Sequence, residues 1–163
     1  LYNIVNRDIE VELLPLCQEH GIGVVPYSPL ARGILTGKYR PGQAFPEGSR
    51  ASRNDPRMMQ AEIRESSIEI AAEIPGNCKK NVVATSRYAL AWCLANPIIT
   101  SVIIGARTAE QALDNIRTSS FRLDEEALLK LDTVSNLPHR YPEAMEEDMH
   151  QRRNDAVDMP SLD

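Results

Sequence analysis

Two groups of polar residues, each placed just after an apolar run, carry the chemistry legible in this chain. After residues 22–26 come Tyr27, Ser28, Leu30, Gly33, Thr36 and Lys38, in a stretch rich in Pro, Gly and hydroxyls that also holds Arg32. After residues 98–104 come Gly105, Ala106, Arg107, Thr108, Gln111, Asp114 and Asn115. Apolar strands that empty into such loops are how α/β folds build ligand sites. The second group opens a short helix, whose first backbone N–H groups favour an anion. Arg107 adds a planar fork suited to phosphate, and Lys38 or Arg50 a further positive charge. Tyr27 offers a flat face to a ring. A ligand with a ring at one end and phosphates further along would use both groups.

Each residue also has a plainer reading. Lys38, Arg50 and Arg107, taken singly, read as solvated charges. Thr108 and Gln111 match a capping box at a helix start. Asp114 and Asn115 can simply end a helix, and Tyr27 can be a rim aromatic. No Gly-x-Gly-x-x-Gly and no phosphate loop of the Gly-Lys-Thr kind is present. His20, His139 and His150 are scattered, and no Cys or His pair has metal-ligand spacing. Ser28 stands between Tyr27 and Pro29 with no sequence-evident base.

The elements that must position these groups follow from periodicity. Residues 1–4 read as the end of a strand. Residues 9–19 carry Ile9, Leu13, Leu14 and Cys17 at helical spacing, with Asp8 as cap and Gly21 at the left-handed stop. Residues 22–26 and 98–104 are nearly all apolar, the pattern of strands covered on both faces. Residues 40–57, with Pro41, Gly42, Pro46, Gly48, Arg50, Arg53 and Arg57, form a long irregular loop. A helix is predicted over 58–74, broken at Pro75-Gly76-Asn77, and another from Thr85 or Ser86 to Asn96 with Trp92 in its apolar face. Two more follow, from Thr108 to about Ile116 and from Asp124 to about Val134. Helix and strand alternate as in a parallel α/β fold.

A chain of 163 residues can bury one core. Its net charge of −5, with no basic face rich in aromatics, argues against nucleic-acid binding. Three isolated cysteines, Cys17, Cys78 and Cys93, fit a reducing, cytoplasmic setting, and no apolar run reaches membrane-spanning length. The start at Leu1-Tyr2-Asn3, without an initiator Met, raises the expectation of an upstream segment.

Taken together, the motifs resemble a family. Val24 to Tyr39, VVPYSPLARGILTGKY, closely resembles the segment after the seventh strand of aldo-keto reductases. SVIIGARTAEQALDNI, Ser101 to Ile116, resembles the eighth strand and the cofactor helix after it. YALAWCLANP, Tyr88 to Pro97, is similar to the helix between them, and LYNIVNR, Leu1 to Arg7, to the exit of the sixth strand. Gly105-Ala106-Arg107 resembles the bacterial and fungal branches and the potassium-channel beta-subunit-like proteins.

This resemblance implies a (β/α)8 TIM barrel of which residues 1–163 hold roughly the last three strands and their helices, residues 139–163 being a C-terminal tail. It implies a complete protein that reduces aldehydes or ketones with NADPH, NADH being kept open because the departure at Gly105-Ala106 leaves the phosphate preference to Arg107 and Gln111. By position, Tyr27 would stack on the nicotinamide, and Ser28, Leu30, Gly33, Thr36 and Lys38 would line the pyrophosphate and its ribose. Arg50 would reach the phosphates, Gly105, Arg107, Thr108 and Gln111 would surround the 2′-phosphate, and Asp114 and Asn115 would face the ribose and adenine. The family's catalytic Tyr, Asp, Lys and His fall on strands outside this sequence, so no catalytic residue is assigned and the chain by itself is expected to be inactive. The implied partners are a small-molecule carbonyl substrate and the absent half of the barrel or a second copy. The alternative is a non-catalytic, NADP(H)-binding regulatory or subunit-like protein. A truncated product without function is a third reading.

Overall fold

A computed structural model describes residues 1–81, 83–136 and 145, with the side chains of residues 75–81 left aside. The centre is a single helix. Six α-helices occur among the described residues: α1 (Leu13–Glu19), α2 (Pro56–Ala61), α3 (Glu65–Asn81), α4 (Thr85–Ala95), α5 (Ala109–Ile116) and α6 (Glu125–Val134). Short 3-10 turns lie at Asp8–Glu10, Ala31–Thr36 and Arg117–Ser120. Six consecutive residues of α4, Tyr88 to Cys93, are buried, so this helix is covered around its whole circumference. It packs on α3, on α5 and on the turns at Ala31–Thr36 and Arg117–Ser120. Trp92 lies 5.3 Å from the ring of Tyr2, and Tyr88 meets Phe121 edge-on at 5.3 Å.

The ends of the helices follow local chemistry. Thr108 Oγ1 accepts from the Gln111 N–H, and Asp124 Oδ1 from the Ala127 N–H, each satisfying an orphan donor of a first turn. Gly21 takes a φ of 64°, and the Ile22 N–H then donates to the Cys17 carbonyl, closing α1. Glu12 rather than Asp8 stands in the capping position of α1, which begins at Leu13 after the separate Asp8–Glu10 turn. α4 starts at Thr85 with Ala84 in the capping position and no side-chain cap. The helix predicted over 58–74 is two helices. Asp55 caps α2 through the Met58 N–H, and the Met58 carbonyl then accepts from both Glu62 and Ile63, which ends the turn. α3 continues past Pro75 to Asn81, since a proline inside a helix removes one hydrogen bond and kinks the helix without having to end it. Cys17 and Cys93 are buried free thiols, and burial pushes the Cys93 thiol up to about 12, which leaves it inert. The tail, 139–163, lies outside the described residues except for Met145.

The barrel implied by the resemblance is not what the described residues form. Their only β pairings are two isolated bridges, Asn3 with Asn6 and Val24 with Ile99. The expected strands 22–26 and 98–104 do run side by side. The Val24 N–H donates to Ile98, Thr100 donates to Val24, and Ile103 donates to Pro26. Gly23 permits this approach, because a Cβ there would stand 2.2 Å from Thr100 Oγ1. The ladder stops because Pro26 has no N–H to return. Residues 1–4 do not extend as a strand, since Asn3 and Asn6 exchange both backbone bonds and turn the chain back. Ile22, Val25 and Ile103 are 55%, 52% and 56% exposed, so the apolar runs lack the second covered face that their composition implied.

Two expectations fall with the barrel. The described residues are helical with no sheet, so the (β/α)8 TIM barrel is replaced by a helical assembly around α4. The reading as part of a complete NAD(P)H-dependent reductase loses the strand scaffold on which that catalysis would rest.

Candidate functional site

The paired segments leave their polar exits side by side. A cavity of about 850 Å³ opens between them, with residues 27–38 on one lip and residues 103–115 on the other. It brings together Tyr27, Ser28, Leu30, Gly33, Thr36, Lys38, Arg50, Gly105, Arg107, Gln111, Asp114 and Asn115. Thr108 is the one sequence-predicted site residue outside this lining. Its hydroxyl oxygen serves α5 as a cap instead.

The first lip is shaped by backbone that ordinary residues avoid. Ser28, Ala31 and Arg32 have φ of 56°, 46° and 51°, and Gly33 and Gly37 of 105° and 78°. Left-handed backbone costs a non-glycine residue roughly 1–2 kcal/mol. Burial holds the loop down: Ala31, Ile34 and Leu35 are fully enclosed in the core beneath it. Asn3 donates its side-chain N–H to the Ser28 carbonyl at 2.8 Å, and Thr36 donates its hydroxyl to the Gly33 carbonyl at 2.7 Å. The turn lays Lys38 Nζ against Gly33, so close that a Cβ there would sit 2.9 Å from it. Tyr27 is 49% exposed on the rim, free to present its face.

Beneath this lip lies a buried carboxylate. Glu62 is fully enclosed, and its Oε2 accepts from Asn6 Nδ2 at 2.7 Å. Asn6 Oδ1 in turn accepts from Arg64 Nη2 at 2.7 Å. Arg32 Nε lies 3.9 Å from Glu62 Oε1, and both atoms are buried without a hydrogen-bond partner. Burial drives the Glu62 carboxyl above its ordinary range, against the opposing effects of Asn6, Arg32 and Arg64.

The second lip is an exposed helix start. Gln111 Oε1 accepts from the Arg107 N–H at 3.0 Å, which fixes the turn ahead of α5 and leaves the Gln111 amino group to donate. Asn115 is buried and lines the cavity. Asp114 forms an ion pair with Arg87 of α4.

Sequence reasoning left out several of the lining residues, among them Arg32, Arg53, Ser49, Ser86, Ile103, Ile104 and Glu110. Arg32 and Arg53 stand in the stretches singled out for their charge, which is the signal that could have found them. Arg87 and Glu62 carry no such signal, since their partners lie 27 and 56 residues away.

Five cationic side chains, Arg32, Lys38, Arg50, Arg53 and Arg107, therefore line one cavity in a protein of net charge −5. Among the described residues, Lys38, Arg50, Arg53 and Arg107 have no carboxylate partner. Of the two acidic residues in the lining, Glu110 and Asp114, the second is neutralised by Arg87. Such a donor set, next to an exposed aromatic face, fits an extended anionic ligand with a ring. No group of His, Cys, Asp and Glu among the described residues could hold a metal ion, and no described helix is long and apolar enough to cross a membrane.

Several known sequences resemble this chain. The profile of the Aldo/keto reductase family matches residues 1–136. A putative voltage-gated potassium channel subunit beta of Schizosaccharomyces pombe is 37% identical over 141 residues, 83% of this chain and 40% of its own length. The uncharacterized oxidoreductase YrpG of Bacillus subtilis is 36% identical over 133 residues, 82% of this chain and 38% of its own. An NADH-specific methylglyoxal reductase of Escherichia coli is 33% identical over 124 residues, 76% of this chain and 37% of its own. The chain thus spans about two fifths of the length of the curated relatives it matches. With the family profile covering most of the sequence, the chain belongs to the aldo/keto reductase family.

Proposed function

We propose that this chain is a non-catalytic, NADP(H)-binding member of its family that acts as a regulatory or subunit-like protein in a cytoplasmic setting. The observation that carries the reading is the cavity lined by five cations, whose unpaired charges call for phosphates. Lys38, Arg50, Arg53 and Arg107 would hold the phosphates, and Gln111 and Asn115 would donate to the sugar and base. Tyr27 would cover the ring. Such a cofactor supplies hydride chemistry when bound. The residues lining the cavity would bind and orient it. The cationic lining favours NADPH over NADH. A relative named as a channel beta subunit supports the subunit-like role, as does the exposed apolar edge at Ile22, Val25 and Ile103.

Titration of NADPH against the chain, followed by nicotinamide fluorescence, tests the reading together with an assay of NADPH oxidation by a reactive aldehyde. Saturable binding without turnover is expected. Turnover well above a buffer control, or no binding at millimolar NADPH, contradicts it.

A further inference from the structure

The ion pair between Arg87 and Asp114 has no counterpart in the sequence reading, and it sits behind the part of the cavity where Arg107 and Gln111 open. Asp114 lies one turn after Gln111 on α5, so both reach the same lip. A bare carboxylate there would accept hydrogen bonds from ribose hydroxyls and would repel a phosphate on that ribose. Arg87 answers it from α4, where the next six residues are buried, so the backbone beneath the guanidinium has little freedom to shift. The two side chains are only 20% and 30% exposed, which limits solvent screening of the pair. Arg87 itself is not part of the cavity lining, although its neighbour Ser86 is. Its effect on a ligand therefore passes through Asp114.

We propose that Arg87 is a specificity-determining positioning residue, which neutralises Asp114 and so lets the cavity accept a phosphate on the adenosine ribose. The inference rests on the dinucleotide reading above. Without Arg87, the Asp114 charge is left uncompensated and the preference moves toward a ribose with free hydroxyls. The pair also orients Asp114, because a carboxylate engaged by a guanidinium is held in one rotamer.

The test compares adenosine 2′,5′-bisphosphate with 5′-AMP by calorimetric titration of the full chain, its Arg87→Gln variant and the double variant Arg87→Gln/Asp114→Asn. The wild type should prefer the bisphosphate. Arg87→Gln should weaken the bisphosphate about tenfold while 5′-AMP changes by less than about twofold, a difference of about 1.4 kcal/mol confined to the extra phosphate. The double variant removes the exposed carboxylate as well and should restore most of the loss, which a merely structural role of Arg87 would not allow. Equal weakening of both nucleotides, or a double variant as poor as the single one, overturns the proposal while the dinucleotide reading stands. Wild-type protein that binds neither nucleotide overturns both. Should Arg87→Gln fail to fold, Asp114→Asn reads the same field with the opposite sign, because it frees the Arg87 charge. A gain of a few-fold for the bisphosphate supports the proposal, and an unchanged or weaker affinity overturns it.

Discussion

Two concave regions among the described residues handle charge in opposite ways. The smaller, about 390 Å³, lies beside Tyr2, Arg7, Trp92 and Asp132. There every charge meets another. Arg7 pairs with Glu10 at 2.9 Å and with Asp132 at 3.3 Å, and it lies 5.1 Å above the Trp92 ring. Trp92 Nε1 donates to Asp132 at 3.0 Å, and the Tyr2 hydroxyl donates to Glu10 at 2.7 Å. Burial and that hydrogen bond both raise the Tyr2 phenol, so it remains a donor. Among the described residues, the larger cavity leaves four of its five lining cations without a carboxylate and gives the fifth, Arg32, a partner only at 3.9 Å. Polar groups that satisfy one another hold elements together. Polar groups left open at a cavity wall are available to a ligand.

Breaking the first region should change stability and leave affinity alone. Trp92→Ala removes a buried ring and its bond to Asp132, and should cost about 3–5 kcal/mol in denaturant unfolding. Breaking the second should do the reverse. Arg50→Ala/Arg53→Ala/Arg107→Ala should weaken NADPH about a hundredfold, near 2.7 kcal/mol, with the unfolding midpoint almost unmoved. A large stability loss in the triple variant would erase the contrast between the regions.

Gly33→Ala touches both properties. It adds a Cβ at a φ of 105° and 2.9 Å from Lys38 Nζ. A loss of roughly 1–2 kcal/mol in stability is expected, with a weaker NADPH affinity as Lys38 is displaced. Unchanged stability would mean that the loop is free to adopt another conformation.

The smallest effect expected belongs to Glu62, and it depends on pH. Its carboxyl is raised in the folded protein, so folding favours the protonated form. The wild type should lose stability as pH rises from the ordinary carboxylate value through the raised folded value. Glu62→Gln, which can still accept from Asn6, should therefore melt higher than the wild type at neutral pH, and the advantage should vanish below the ordinary carboxylate range. An advantage that persists at low pH would contradict this account of the buried carboxylate.

The parts legible in the sequence are those set by neighbours along the chain. Thr108, Asp124 and Gly21 end or begin helices through bonds spanning three to five residues, and their roles follow from local spacing. That the candidate residues line one cavity has a similar local cause, since two contiguous stretches supply nearly all of them. The strands misled because an apolar run states only that both faces prefer cover. It does not supply the cover, and Pro26 with the Asn3–Asn6 turn removes the donors that a sheet needs. The break between α2 and α3 was equally hidden, because no glycine or proline marks it and it rests on the Met58 carbonyl accepting from both Glu62 and Ile63. Arg87 carries no local signal, because its partner Asp114 lies 27 residues away on α5.

The most direct measurement of the central claim is calorimetric titration of NADPH at several salt concentrations, with the wild type and with Arg107→Ala. If the unpaired cations hold phosphates, affinity should be about micromolar at low salt and fall steadily as salt rises. Arg107→Ala should start about tenfold weaker and show a shallower salt dependence. Binding that ignores salt, or that is the same in Arg107→Ala, would contradict the claim.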